Sequence, residues 1–507
     1  MIHFKNKKIL EAFTIVELVI VIAVIGILAS ISVVGYGKWR ESIAQKEVQS
    51  DLRSAAGAME NARNFGSGYP LAIPLTFKAS TNVSIVYAFG NPDEFCIEGK
   101  SKVVTSVTYF INNQAGKKEP RQGDCLNGEV PNVPGGSFYW KQIASGFQHS
   151  CAIGSDNKTY CWGYNDVGQL GNGTTTSSSK PVAVTMPSGK TFELIEVGLA
   201  FSCAVTTDGV AYCWGWNGSG QLGNNSTTNS SVPVAVSPGA MSGKSVASIS
   251  GGNGATCART TDGYAYCWGW NNAGQLGNNS TTNSSVPVAV SPGAMSGKSV
   301  ASISEGNQFT CAVTTDGAAY CWGFNNFYQL GNGSTTDSSV PVAVNRAAMG
   351  NRSISSISAS NGFTCALVSG GFAYCWGWNN VGQLGNNSTT NSSFPVLVQG
   401  AIAGKSTQSV SADDGYACAS TVDGGAYCWG WNNVGQLGNN STVDSLVSVK
   451  VSGLLTGKMA RTVTAGNGFA CVATNDTSAY CWGRGTAGEL GNNTTITSST
   501  PVLVTGP

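Results

Sequence analysis

Seven times along the chain the tetrapeptide Tyr-Cys-Trp-Gly recurs, with its tryptophan at 162, 214, 268, 322, 376, 429 and 482, every 52–54 residues. Each copy is followed by Gln-Leu-Gly-Asn (Glu-Leu-Gly-Asn in the last) and a Ser/Thr/Asn-rich stretch. Pro-Val-x-Val comes next, at 181, 233, 287, 341, 395 and 501, with Val-Ser-Val-Lys at 447 in its place once. A period of this length built from short strands predicts a solenoid or a propeller. Four strands fit each unit: Pro-Val-Ala-Val, Ser-Val-Ala-Ser-Ile-Ser, Thr-Cys-Ala-Val-Thr-Thr and Ala-Tyr-Cys-Trp-Gly. The composition agrees, because 66 glycines and only 11% charged residues suit turn-rich β-structure. A formal charge of +1 gives no basic footprint, which argues against nucleic acid as a partner.

Fourteen cysteines fall into seven pairs with a constant spacing of ten: Cys151 and Cys161, Cys203 and Cys213, Cys257 and Cys267, Cys311 and Cys321, Cys365 and Cys375, Cys418 and Cys428, Cys471 and Cys481. If Thr207-Asp208-Gly209 is a three-residue hairpin loop with Gly209 left-handed, Thr206 faces Val210 and Cys203 faces Cys213. That pair would be non-hydrogen-bonded, with Cα atoms about 4.5 Å apart, near the short end of disulfide geometry. Seven disulfides, and so an oxidising compartment, are the expectation. Free buried thiols are the alternative. Zinc fits poorly, because the only histidines are His3 and His149 and close Cys spacing is missing. We expect no metal and no cofactor.

The N-terminal region reads differently. Residues 13–34 form an apolar run that would span about 33 Å as a helix, enough for a bilayer. Lys5, Lys7 and Lys8 precede it, and one charge, Glu17, sits inside it. A carboxylate in an apolar span is costly and usually functional. Beyond it, Ile43, Val48, Leu52, Ala55, Ala56 and Met59 share one helical face, so this half should pack on a small globular domain. Strand-like runs follow at 83–89 and 103–111.

A basic leader, a small residue, Phe13, a carboxylate four residues later and an apolar helix resemble the N-terminus of type IV pilins and pseudopilins. The resemblance implies cleavage by prepilin peptidase between Ala12 and Phe13 and methylation of the new amine. Ala12 stands where the family usually has Gly. Glu17 would neutralise the N-terminal amine of a neighbouring pilin subunit during assembly. Cys96 and Cys125 resemble the disulfide that closes the C-terminal loop of many pilins. The implied organisation is a leader at 1–12, a transmembrane and assembly helix at 13–64, a small pilin domain at 65–127, a linker at 128–137 and the repeats at 138–507.

Tyr-Cys-Trp-Gly-Trp-Asn-Asn-Ala-Gly-Gln-Leu-Gly at 266–277 resembles the blade signature of propellers of the regulator-of-chromosome-condensation type. The implied fold is a mainly β, seven-bladed propeller preceded by a long N-terminal α-helix and a small α+β pilin domain. The C-terminal strand 501–504 is expected to complete the first blade and seal the ring. What carries over from that family is a rigid disc whose faces bind other molecules. The leader that the pilin resemblance implies, together with the paired cysteines, argues against nucleotide exchange on a nuclear GTPase.

Candidate binding residues follow from the positions that vary. Trp216, Trp270, Phe324, Trp378 and Trp431 come after the repeated Trp-Gly, with Tyr164 in the first repeat and Arg484 in the last. They pack between blades or form a rim that stacks on sugars or peptides. Phe327 and Tyr328 break the pattern of the fourth repeat and add two aromatics to a loop. Residues 221–250 and 275–304 are identical, so specificity belongs to the unusual blades. His149 reads as structural, and Asp413-Asp414 as a solvated pair. We expect no enzymatic activity. The resulting expectation is a minor type IV pilin, single-pass in the membrane before assembly. It would display an adhesion or recognition head for an extracellular protein or glycan. The alternatives are a pseudopilin of a secretion or DNA-uptake machine with a structural propeller cap, or a surface-bound inhibitor of a secreted enzyme.

Overall fold

The computed structural model describes residues 42–56, 80–90, 95–101, 108–112, 121–122, 138–455 and 458–507. The chain divides into two compact units, Met1–Ser137 and Phe138–Pro507. Ala12, Phe13, Glu17, the apolar run and Cys125 lie outside the described residues. Among the described residues no helix is long and apolar enough to cross a membrane.

In the first unit, residues 42–56 are helical. The strands Val83–Gly90, Phe95–Ser101, Thr108–Asn112 and Arg121–Gln122 pair in chain order as an antiparallel sheet. Ala44, Val48, Leu52 and Ala55 recur at helical spacing and are buried with Val83, Ile97, Tyr109 and Ile111. Asp51 ties the helix to the entrance of the sheet, where its carboxylate accepts from Ser80 N (2.7 Å) and Ser80 Oγ (2.9 Å). The sequence placed Ile43 on the buried face, but it is 45% exposed. One residue along, Ala44 takes the inward position.

The second unit is seven four-stranded antiparallel sheets, each contiguous in sequence. The third blade is representative, with strands Val246–Gly251, Ala255–Thr260, Ala265–Gly269 and Ser284–Ala289 from the axis outward. Its third strand is buried throughout and its outermost strand only partly. Seven disulfides join the second and third strands, with Cα atoms 4.0–4.1 Å apart. In the second blade Cys203 faces Cys213, Thr206 N donates to Val210 O, and Gly209 has φ +78°, the three-residue loop that the spacing implied.

Ring closure differs from the expectation. The last strand, Ser498–Leu503, pairs with Ala479–Gly483 of its own repeat, with Tyr480 facing Leu503 and Cys481 facing Val502. The first blade is completed by Ser178–Ala183. Every Pro-Val segment is therefore the outermost strand of the blade whose Tyr-Cys-Trp-Gly precedes it. Proline lacks an N–H and belongs on a sheet edge, which is where this order puts it. The ends of the ring meet by packing. Each Tyr-Cys-Trp-Gly indole donates Nε1–H to a carbonyl of the preceding blade: Trp214 to Gln169 O, Trp268 to Gln221 O, Trp322 to Gln275 O (each 2.9 Å). Trp162 closes the circle on Glu489 O at 2.8 Å.

Candidate functional site

The hairpins between the first and second strands of all seven blades converge on the axis around a cavity of about 250 Å3. Three rings of residues line it. Serines form one: Ser250, Ser304, Ser358 and Ser411 each accept, through Oγ, a backbone N–H of the next blade at 2.9–3.0 Å. In the second blade Glu196 stands where these blades carry serine. The next position is small in five blades, Ser145, Gly251, Ala359, Ala412 and Ala465, with Val197 in the second blade and Glu305 in the fourth. Glycine dominates the following position, where the sixth blade has Asp413.

An amide belt rims one end of the cavity. Asn253 Nδ2 donates to Asn307 Oδ1 (2.8 Å), Asn307 to Asn361 (2.9 Å) and Asn361 to Asp414 Oδ1 (3.2 Å). Asn467 donates to Asp414 Oδ2 from the other side at 2.5 Å, so the acidic residue takes two amides where an asparagine would take one. Phe147 and Leu199 fill the remaining two positions.

Burial pushes the Glu196 and Asp413 carboxyls up to about 7; at Asp413 the neighbouring Asp414 carboxylate adds repulsion, while the Asp414 N–H and the Arg484 guanidinium partly oppose the rise. Burial raises Glu305 well above the carboxylate range. Neither of its oxygens has a hydrogen-bond partner; the nearby backbone N–H of Asn253, which favours the ionised form, donates to Gly306 O at 3.2 Å. The carboxyl occupies the space a side chain at Gly252 would need. Ser360 Oγ, in the next blade, is also buried and unpartnered. Sequence reading passed over Glu196 and Glu305 and placed Asp413 in solvent. Their signal was available: in a charge-poor chain, acids stand five to seven residues before the first cysteine of a pair, on a Ser/Gly frame. Among the described residues no group of three or more His, Cys, Asp or Glu is placed to hold a metal ion.

The aromatic candidates surround the same mouth. Tyr164, Trp216, Trp270, Phe324, Trp378 and Trp431 are half-buried, and each backbone N–H donates to the carbonyl just before its blade's second strand. Their rings pack toward the belt hairpins; a side chain at Gly254 would touch both Trp216 and Trp270. Phe327, 36% exposed, bridges Phe324 (6.2 Å between centroids) and Trp378 (5.6 Å) across two blades. Tyr328 stands beside it at φ +68°. Arg484 is committed to the seam between the last and first blades, where it donates to Glu489, Asn467 and Phe147 O. His149 is buried, lies 2.8 Å from Ser202 Oγ and is held neutral, its burial lowering it to about 3. Sequence reading also passed over the exposed Lys–Asp pairs eighteen residues apart, such as Lys190–Asp208 (2.6 Å) and Lys405–Asp423 (2.5 Å).

The model of the RCC1-like domain matches residues 141–366 and 241–507, together most of the chain. The chain belongs to the RCC1-like domain family. The ultraviolet-B receptor UVR8 of Arabidopsis thaliana is 29% identical over 363 residues, 71% of this chain and 81% of that protein. The E3 ubiquitin-protein ligase HERC2 of Homo sapiens is 30% identical over 291 residues, 57% of this chain but 6% of that protein, so its activity does not transfer. The RCC1-like fold also matches a chain in the crystal structure of Kap60 bound to yeast RCC1 (Prp20), with TM-score 0.60, 17% identity and coverage of 71% of this chain and 84% of that one. Human WBSCR16 matches with TM-score 0.56, 19% identity and coverage of 70% and 90%. RCC1-like relatives make a regulatory or recognition role the coarse functional assignment.

Proposed function

We propose that this chain is a minor type IV pilin that displays its RCC1-like propeller outside the cell as a recognition head. The observation that carries the reading is Glu17 four residues after Phe13 at the start of a 22-residue apolar run, ahead of seven disulfide-bonded blades. A helix whose apolar face rests on a four-stranded sheet suits a small assembly domain. The disulfides suit an oxidising compartment. The partner is an extracellular protein or glycan met by the face that carries the amide belt and the aromatic rim. Protein recognition is in keeping with the matched fold, one solved example of which was studied for its binding to Gsp1p and histones.

Immunogold labelling of the propeller on whole cells tests this. Label at fibre tips is the expected result. Label along whole fibres would make the protein a shaft subunit, and label confined to the envelope would overturn display in favour of a pseudopilin.

A further inference from the structure

The axial cavity holds more acceptor capacity than the fold uses. Glu305 is 5% exposed and Ser360 3% exposed, and three oxygens between them, Glu305 Oε1 and Oε2 and Ser360 Oγ, have no partner. Buried polar atoms in native proteins are almost always paired, and an unpaired carboxyl costs more than an unpaired amide. Nothing in blade construction requires this one: the third blade has Gly251 at the position of Glu305. The stretches 221–250 and 275–304, which lead into the third and fourth blades, are identical, so Glu305 is the first residue at which they part from each other. Glu196 and Asp413 line the same cavity from the second and sixth blades. The three carboxyls thus come from alternate blades around the axis.

We infer that the axial cavity is a binding site for an aliphatic ammonium group, supplied either by a free polyamine or by a lysine side chain of a partner. An ammonium carries three N–H donors and no acceptor, the complement of the acceptors left open at Glu305 and Ser360. Carboxyls spread over alternate blades suit a chain with spaced cations, and no metal-holding cluster forms among the described residues. The volume of about 250 Å3 is close to the lower end of small-molecule sites and admits a slender aliphatic chain. The amide belt gives the entrance a polar, uncharged rim. Glu305 must ionise to pair with the cation, so binding releases protons. The charged and titratable groups facing it are Glu196, Asp413, Asp414 and, through the belt, Arg484.

The inference rests on the disc being a recognition module, but not on its attachment to a pilus. Titration calorimetry on the full chain with 1,5-diaminopentane, spermidine and N-acetyl-lysine amide, at pH 6 and pH 8 in buffers of different ionisation enthalpy, tests it. Wild type is expected to bind at least one probe, at least threefold tighter at pH 8, with proton release. E305Q is expected to lose tenfold or more. E305G, which installs the residue of the third blade, is the folding control and should lose binding while its melting temperature holds or rises. Preference for the diamines identifies a free polyamine, and preference for the lysine amide a partner side chain. No binding of any probe, or equal binding by wild type and E305Q, overturns the site. Failure of surface labelling leaves this result standing, so the two readings fail separately.

Discussion

The guanidinium of Arg484 lies 2.9 Å from Glu489 Oε1, and these two positions carry neither Arg nor Glu in any other blade. Elsewhere the pair is an aromatic and a glutamine, as in Trp270 and Gln275. Glu489 is fully buried, yet it keeps the glutamine's turn contact by accepting from Ala487 N at 2.8 Å. Its second oxygen holds Arg484, which then reaches across the seam to Phe147 O at 2.6 Å. Removing one partner of such a pair strands a buried charge, so R484A should cost about 3 kcal/mol. The double variant R484W/E489Q restores the pattern of the other blades and should recover most of it. Urea midpoints for the single and double variants decide the matter. An R484A no weaker than the double variant would show that the seam does not depend on the pair.

Acid and base respond to pH in opposite directions in this propeller. His149, lowered to about 3, stays neutral when folded, whereas the unfolded chain takes up a proton near 6.5. Its contribution is present above pH 6.5 and is lost as pH falls toward 3. Glu196 and Asp413, raised to about 7, hold protons in the folded state that the unfolded chain has released near pH 4. Their contribution is present below pH 4 and is lost as pH rises through 7, at most about 3 kcal/mol for Glu196. Melting temperature should therefore fall from pH 5 to pH 8. E196Q should flatten that decline, whereas H149F, which installs the phenylalanine found at this position in four blades, should steepen it between about pH 5 and 6.5 and remove the loss of stability below about pH 4. A decline unchanged in E196Q would mean that the carboxyl is already solvated.

The propeller was legible in the sequence because its scaffold residues are the ones that repeat. Trp268 must reach the Gln221 carbonyl, and Cys257 must face Cys267, in every copy, so selection for the blade writes the period. The Pro-Val strand was assigned to the wrong blade because a period does not say where a unit begins; only the pairing of Tyr480 with Leu503 does. The axial carboxyls were missed for the converse reason. Glu196, Glu305 and Asp413 each occur once at their repeat position, and an unrepeated residue looks like drift until the ring brings it to the axis. In the first unit, Val48, Leu52 and Ala55 were readable from helical spacing, whereas the burial of Asp51 needed its partner Ser80, distant in sequence.

Two glycines with similar backbones should respond differently to alanine. Gly277 has φ +68°, and a Cβ there would lie 2.6 Å from Trp322 Nε1, whose N–H is spent on Gln275 O. Gly243 has φ +75° with nothing within 4 Å of a Cβ. G243A meets only the left-handed penalty of about 1 kcal/mol. G277A adds displacement of a buried indole and loss of its hydrogen bond, so it should cost about 3 kcal/mol. Thermal or urea unfolding of both variants checks the contrast, and near-equal losses would mean that the indole can shift without loss.

Tyr328 occupies a left-handed turn position, φ +68°, where the other six blades have glycine, among them Gly274 at +81° and Gly382 at +81°. The turn itself is unchanged, since Gly331 N still donates to Tyr328 O at 2.9 Å, as Gly277 N does to Gly274 O. A side chain in this conformation costs about 1–2 kcal/mol, and glycine returns part of that through its greater freedom when unfolded. Y328G should therefore stabilise the propeller by about 1 kcal/mol. Strain of this kind persists where a surface has a use for the side chain, and Tyr328 adjoins the exposed Phe327 that bridges Phe324 and Trp378. The expected outcome is a higher melting temperature for Y328G, with the F327A/Y328G pair weaker than wild type in binding to whatever the displayed face recognises. A Y328G variant that melts lower would assign Tyr328 to packing and remove the argument that this rim is kept for recognition.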